Sequence, residues 1–96
     1  NGSHWVPGDI PKYSPRANLH YRGQKADIWE GGHRVPFLVH WPAQVAASTV
    51  SDQTICLTDL MATALDVLGE SLPTGAGQDS YSFLAALTQT KRPAER

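Results

Sequence analysis

The run Val35–Trp41 most constrains how this chain can fold, because it is the segment with the clearest strand composition. Valine, phenylalanine, leucine and tryptophan dominate it, and Pro36 lies near its start, where a strand tolerates a missing N–H donor. Its apolar residues are consecutive, which is typical of a strand covered on both faces in an α/β sheet. A single strand has no neighbour for its backbone hydrogen bonds. Either Ile28 or Val50 belongs to a second strand, or the partners lie outside this sequence, and we favour the second interpretation.

The residues before this run predict a long ordered loop. Residues 1–34 are rich in proline and glycine and show neither a helical nor a strand period. A stretch of this kind inside a compact domain is usually functional or disordered. Its aromatic residues argue against a disordered linker, which is poor in them: they are Trp5, Tyr13, Tyr21 and Trp29. We therefore expect residues 1–34 to be an active-site loop region that lies on a scaffold.

A helix is predicted after the strand. Apolar residues between Leu57 and Leu68 recur at spacings of three and four and form one continuous stripe along a helix face. Thr58 or Asp59 is placed to cap its start, and Ser51-Asp52 is an earlier candidate start. Gly69 is a common residue after a helix end.

A shorter helix is predicted over Ser80–Leu87, with Phe83, Leu84 and Leu87 facing inward. Residues 88–96 are polar and are expected to form a frayed tail. A chain of 96 residues is one domain at most. One strand and two helices do not close a well-covered core, so we expect part of a larger α/β fold, with a loop region over 1–34, strand and helices over 35–87, and the tail.

Composition excludes several classes of protein. Eight Lys+Arg against nine Asp+Glu give a net charge of −1, without the basic surplus of a nucleic-acid or membrane-surface protein. The single cysteine, Cys56, excludes an internal disulfide, and its apolar neighbours favour a buried side chain over a reactive thiol. The histidines lack the spacing of a zinc motif. No apolar run approaches the roughly 20 residues of a membrane helix.

Lys25 is the first candidate for chemistry. It follows Arg22 and Gly23 in a loop that glycine makes tight. A lysine ammonium is a compact charge with three donors, suited to a sulfate or phosphate oxygen. It would stabilise charge that develops on a transferring group or leaving oxygen. The alternative, a solvated surface lysine, is open on spacing alone.

Three more candidates share this loop region. The amide oxygen of Asn1 is a hard ligand suited to Ca²⁺ or Mg²⁺, although Asn-Gly is also an ordinary turn pair. His4 and His20 could contact a substrate or donate a proton, and the alternative is that both are exposed or hydrogen-bonded loop histidines.

Glu30 and Arg34 bracket the pair Gly31-Gly32. We expect a salt bridge or a backbone clamp that holds the turn, rather than a catalytic role. The two glycines predict unusual backbone angles or a close approach of another segment.

Together these residues resemble a known family. The matching segments, in chain order, are Asn1-Gly2, Arg22-Gly23-Gln24-Lys25, Trp29-Glu30-Gly31-Gly32, Arg34-Val35-Pro36, Trp41-Pro42 and Thr58-Asp59-Leu60. The chain is similar, from Asn1 to about Leu87, to the later, carboxyl-terminal part of the catalytic domain of type I sulfatases of the alkaline phosphatase superfamily, especially arylsulfatase-A-like enzymes. The resemblance implies a fragment of a sulfatase-type α/β sandwich, from a sulfuric ester hydrolase that uses formylglycine and Ca²⁺.

The resemblance also implies roles for single residues. Asn1 matches the asparagine of an Asp-Asn-Gly motif that helps to bind Ca²⁺, and Lys25 matches the lysine that contacts the sulfate group. The formylglycine motif and the paired calcium-binding aspartates are absent from this sequence, so we expect the chain alone to be inactive and to bind Ca²⁺ negligibly. The implied partners are a small-molecule or carbohydrate sulfate ester and the rest of the sulfatase domain, without nucleic acid or membrane.

Two alternatives stay open. One is a fragment of a related phosphodiesterase or phosphonate hydrolase, and the other is a noncatalytic binding or assembly module that reuses this part of the fold. The module predicts a stable, monodisperse product. A fragment predicts exposed apolar surface on the strand and helix, and therefore oligomerisation in isolation.

Overall fold

The computed structural model describes residues 1–12 and 17–89 of the chain. Its helices are α1 (Asp9–Lys12), α2 (Glu30–His33), α3 (Asp59–Leu68) and α4 (Leu84–Thr88). The chain divides into two compact units, Asn1–Val39 and His40–Arg96. None of the helices in the described ranges combines the length and the apolar character that crossing a membrane requires.

The strand predicted at Val35–Trp41 is not found, since the described residues contain no strand. The end of the first unit is exposed, and Leu38 reaches 87% exposure. A strand forms only when a neighbour accepts and donates its backbone hydrogen bonds. Neither sequence candidate is such a neighbour, because Ile28 and Val50 lie outside any strand and are 84% and 85% exposed. The run is apolar, but the described residues supply no pairing that would make it a strand.

The first unit consists mainly of turns, as expected for the loop region 1–34. Helices α1 and α2 are single turns of four residues each and were not predicted. Four residues form too short a segment for a helical period to show in the sequence. Residues 13–16, including Tyr13, lie outside the described residues.

Helix α3 confirms the first predicted helix. It begins at Asp59 and ends before Gly69, whose φ of 73° is left-handed and suits glycine. The Gly69 N–H donates to the carbonyl oxygens of Leu65 and Asp66. Thr58 is the N-cap residue by position, yet its side chain makes no capping hydrogen bond.

The face of α3 that is buried in the second unit is its polar face. Asp59, Ala62 and Thr63 are buried, whereas the predicted apolar stripe is exposed except for the half-buried Leu65. Successive helical residues turn by about 100°, so Leu60, Met61, Ala64 and Leu68 lie on the side opposite Asp59. The exposed large apolar residues of this segment are Leu57, Leu60, Met61, Val67 and Leu68.

Two backbone N–H groups just before α4 donate hydrogen bonds to side chains of α3. The Tyr81 N–H donates to Asp59 Oδ1 at 3.0 Å, and the Phe83 N–H donates to Thr63 Oγ1 at 3.1 Å. These bonds hold the segment before Leu84 along α3, so the second helix is shorter than the predicted Ser80–Leu87. Phe83 is buried as predicted, at 3% exposure.

Leu84 and Leu87 are partly buried. Cys56, predicted to be buried, is exposed. In the predicted tail, Thr88 closes α4, and residues 90–96 lie outside the described residues.

Candidate functional site

Close backbone contacts between glycines join the start of the chain to the turn after Trp29. The Gly2 N–H donates to the Gly32 carbonyl oxygen at 2.7 Å. A Cβ atom on Gly2 would overlap the Gly31 carbonyl oxygen, and one on Gly32 would overlap the Asp27 carbonyl oxygen. The glycine pair therefore allows a close approach of another segment, as its sequence predicted.

The loop that carries Lys25 is bound to the same start of the chain. The Lys25 N–H donates to the Ser3 carbonyl oxygen at 2.9 Å, and the Trp5 N–H donates to Gln24 Oε1 at 3.0 Å. On the other side of the loop, the Gly31 N–H donates to the Arg22 carbonyl oxygen at 2.8 Å. The backbone around Lys25 is thus held on one side by the start of the chain and on the other by the turn at Gly31.

Inside the loop, two residues adopt positive φ angles. Gly23 has φ 85°, which glycine adopts readily. Ala26, directly after Lys25, has φ 82°, which costs an L-residue with a Cβ atom about 1–3 kcal/mol. The Gln24 N–H donates to Asp27 Oδ2 at 3.0 Å and closes the turn between them. The loop therefore carries backbone strain next to the candidate lysine.

Four residues were singled out from the sequence as site residues, and the structure brings three of them to one segment. Asn1 lies beside Gly2, Lys25 is bonded to Ser3, and His4 follows Ser3 directly. The side chains of all three are exposed. His20 lies in the turn over residues 17–20, with its ring centroid 4.3 Å from that of Tyr21.

Arg22 and Arg34 each face an aromatic ring. The Arg22 guanidinium lies 3.8 Å from the Trp29 ring centroid, and that of Arg34 lies 4.8 Å from the Tyr21 ring centroid. Arg34 Nη1 also donates to Glu30 Oε2 at 2.9 Å, which confirms the predicted salt bridge. This hydrogen bond raises the pKa of Arg34. The side chains of Arg34 and Glu30 are both exposed.

Lys25 differs from these arginines. Within residues 1–12 and 17–89, its ammonium has no ion-pair or ring partner. A cation whose backbone is fixed and whose charge has no partner in the described chain is suited to binding an anion from outside it.

A metal ion does not fit the described residues alone. They contain no group of three or more His, Cys, Asp or Glu side chains that could hold one. Asn1 offers one amide oxygen, whereas Ca²⁺ takes six to eight oxygen ligands. Asn1 can therefore serve only as one ligand of a site whose other ligands come from elsewhere.

Asn18 and Gln24 are structural partners that the sequence did not single out. The side-chain oxygen of Asn18 accepts from the Ser3 N–H at 3.3 Å, and its side-chain nitrogen donates to the Gly23 carbonyl oxygen at 2.8 Å. Both residues reach segments 15 to 19 positions earlier in the chain. Asparagine is common in turns, and both asparagine and glutamine are usually exposed, so no sequence signal indicated these contacts.

The chain is similar in sequence to known proteins of one family. The family model that matches is Sulfatase, over residues 1–70. An arylsulfatase of Hemicentrotus pulcherrimus is 38% identical over 72% of this chain and 12% of its own length. Arylsulfatase G of Rattus norvegicus is 37% identical over 88% of this chain and 17% of its own length. A steryl-sulfatase of Rattus norvegicus is 41% identical over 70% of this chain and 12% of its own length.

The chain thus spans less than a fifth of the length of these relatives, between 12% and 17%. No solved structure shows a significant match to it.

Proposed function

Because this chain belongs to the sulfatase family, we propose that the full-length protein cleaves sulfate esters and that Lys25 contacts the sulfate group. Membership of this family also places the chain in the α/β fold class. Residues 1–34 would form the active-site loop region of the catalytic domain. The substrate would be a small-molecule or carbohydrate sulfate ester. Relatives named arylsulfatase and steryl-sulfatase support a sulfate ester over the phosphodiesterase alternative.

The observation that carries this proposal is the placement of Lys25. Its backbone N–H is bonded to the Ser3 carbonyl oxygen at 2.9 Å, while its ammonium has no ion-pair partner in the described chain. Only the side chain would have to be ordered when the sulfate group binds, so the entropy cost is limited to its rotamers.

Lys25 would act by electrostatic stabilisation. Its ammonium would donate hydrogen bonds to oxygens of the sulfate group, and it would stabilise the negative charge that grows on the leaving oxygen as the S–O bond breaks. Charges that are already oriented before the reaction contribute most to catalysis, because they need not reorganise in the transition state.

The family implies a metal ion and a formylglycine nucleophile. We propose that the metal is Ca²⁺ and that Asn1 supplies one of its oxygen ligands. The nucleophile motif does not occur in this sequence, so the chain alone would be inactive. His4 and His20 would contact polar groups of the substrate as hydrogen-bond partners.

The rest of the sulfatase domain would be the main partner of this chain. The exposed apolar face of α3 is suited to packing against it, because water contact with that face is unfavourable. Oligomerisation of the isolated chain through the same face stays a prediction.

The test is Lys25→Ala in the full-length protein, assayed by turnover of a chromogenic aryl sulfate. We expect kcat/KM to fall by about 10²- to 10³-fold, as for other single groups that stabilise developing charge. Lys12→Ala is the charge-matched control, because Lys12 is an exposed lysine of α1, and kcat/KM should change less than about twofold, as expected for a surface substitution.

Equal rates for the wild type and Lys25→Ala would remove Lys25 from the site. Faster turnover of a phosphate diester than of the aryl sulfate by the wild-type protein would favour the phosphodiesterase alternative instead.

A further inference from the structure

Asn18 closes a ring of hydrogen bonds around the backbone of Lys25. Its Oδ1 accepts from the Ser3 N–H at 3.3 Å, and the Ser3 carbonyl oxygen accepts from the Lys25 N–H at 2.9 Å. Its Nδ2 donates to the carbonyl oxygen of Gly23, two residues before Lys25, at 2.8 Å. One amide therefore connects Ser3, whose carbonyl oxygen holds the Lys25 N–H, to Gly23, which precedes Lys25 by two residues.

The chemistry of this position suits asparagine. The Ser3 N–H needs an acceptor and the Gly23 carbonyl oxygen needs a donor, and a side-chain amide offers both from a single planar group. Aspartate supplies only acceptors when it is ionised, and alanine supplies neither group. Both hydrogen bonds are partly buried, so water replaces them incompletely when they are lost.

The backbone of Asn18 is itself held in place. The Tyr21 N–H donates to the Asn18 carbonyl oxygen at 2.9 Å and closes a turn over residues 18–21. Leu19, within this turn, has φ 50°, a left-handed angle that few residues with a Cβ atom adopt. The amide therefore extends from a turn with a defined backbone conformation.

We propose that Asn18 is a positioning residue that sets where the lysine loop lies relative to residues 1–3. It acts through Lys25 and does not itself touch the substrate. The proposal rests on the proposed function, in which Lys25 contacts the sulfate group. Loss of the amide removes the hydrogen bonds to the Ser3 N–H and to the Gly23 carbonyl oxygen, and the loop can then shift. A shift of about 1 Å in a catalytic group costs up to about 10²-fold in rate.

The experiment is a double-mutant cycle on aryl sulfate turnover by the full-length protein. Asn18→Ala should lower kcat/KM by about tenfold, mainly through kcat, because a misplaced ammonium stabilises the transition state less well. In the Lys25→Ala background the same substitution should change kcat/KM by less than about twofold, since the group that Asn18 positions is gone.

A purely structural role predicts a different result. If Asn18→Ala lowers kcat/KM by the same factor in both backgrounds, or has no effect in the wild type, the positioning role is wrong. If Lys25→Ala leaves the rate unchanged, the proposed function of Lys25 fails first, and the role of Asn18 falls with it.

Two further variants complete the design. Asn18→Asp keeps the size of the side chain but lacks the donor for the Gly23 carbonyl oxygen, so it should reproduce the loss even if Asn18→Ala does not fold. Asp9→Ala is the matched control. Asp9 Oδ2 also accepts a backbone N–H, that of Val6 at 2.9 Å, in the same unit and away from the ring. It should leave kcat/KM within about twofold of the wild type, as expected for a surface substitution.

Discussion

Replacing Gly31 by alanine should displace the loop that carries Lys25. A Cβ atom at Gly31 would overlap the carbonyl oxygen of Gly23 and would lie 2.8 Å from that of Arg22. Both are backbone atoms, so no side-chain rotation can relieve the contact. The Arg22 oxygen is also the acceptor of the Gly31 N–H at 2.8 Å, and the backbone shift that makes room would stretch this bond.

The two effects have known sizes. Overpacking against rigid neighbours costs about 1–3 kcal/mol. The loss of one backbone hydrogen bond adds about 1 kcal/mol. We therefore expect Gly31→Ala to lower the free energy of unfolding by about 2–4 kcal/mol and to slow sulfate ester turnover, because the lysine loop moves with its contact.

The assay is urea unfolding of the full-length protein, followed by circular dichroism, together with aryl sulfate turnover. Gly8→Ala is the control, since a Cβ atom added there would meet no heavy atom of residues 1–12 and 17–89 within 4 Å, apart from its chain neighbours. That variant should be unchanged or up to about 1 kcal/mol more stable, because alanine restricts the unfolded chain. Equal stabilities of Gly31→Ala and Gly8→Ala would refute the argument that the contact at Gly31 leaves no room for a Cβ atom.

Two further predictions concern the strained residue of the lysine loop and the polar core of the second unit. Ala26→Gly should raise the free energy of unfolding by up to about 1 kcal/mol, because relief of the strain at φ 82° outweighs the entropy cost of glycine; a loss of stability in urea unfolding would contradict this. Asp59→Ala should lower the free energy of unfolding by about 2–4 kcal/mol. The N–H groups of Cys56 and Tyr81 lie 2.8 and 3.0 Å from this carboxylate and would lose it as an acceptor. Asp66→Ala removes an exposed carboxylate of the same helix and should cost less than about 1 kcal/mol; an equal cost for both aspartates would contradict the role of burial.

Polar groups were the hardest part of the second unit to predict. Ser80 Oγ accepts from the Ala62 N–H at 2.8 Å and donates to the Thr58 carbonyl oxygen at 2.7 Å. Such bonds depend on how a loop returns to a helix some twenty residues earlier. A serine in a loop has no pattern that distinguishes this role from exposure to water.

The lysine loop was only partly predictable for a similar reason. Its glycines indicated a tight turn, and Glu30 and Arg34 indicated an ion pair because they bracket the glycine pair with opposite charges. The sequence did not indicate that residues 1–5 would bind this loop, because contacts between distant segments leave no periodic trace.

The sequence by itself determined local structure and family membership. These features are the helix α3, its end at Gly69, the Glu30–Arg34 salt bridge and the membership of the sulfatase family. Helical period and salt-bridge spacing involve residues within one or two turns, so the order of residues suffices. The tertiary structure alone decided that Val35–Trp41 forms no strand, that α3 buries its polar face, and that Asn18 connects Ser3 to Gly23. Each of these depends on which distant segment lies alongside, since strand pairing, burial and hydrogen bonding all require a partner that local sequence does not specify.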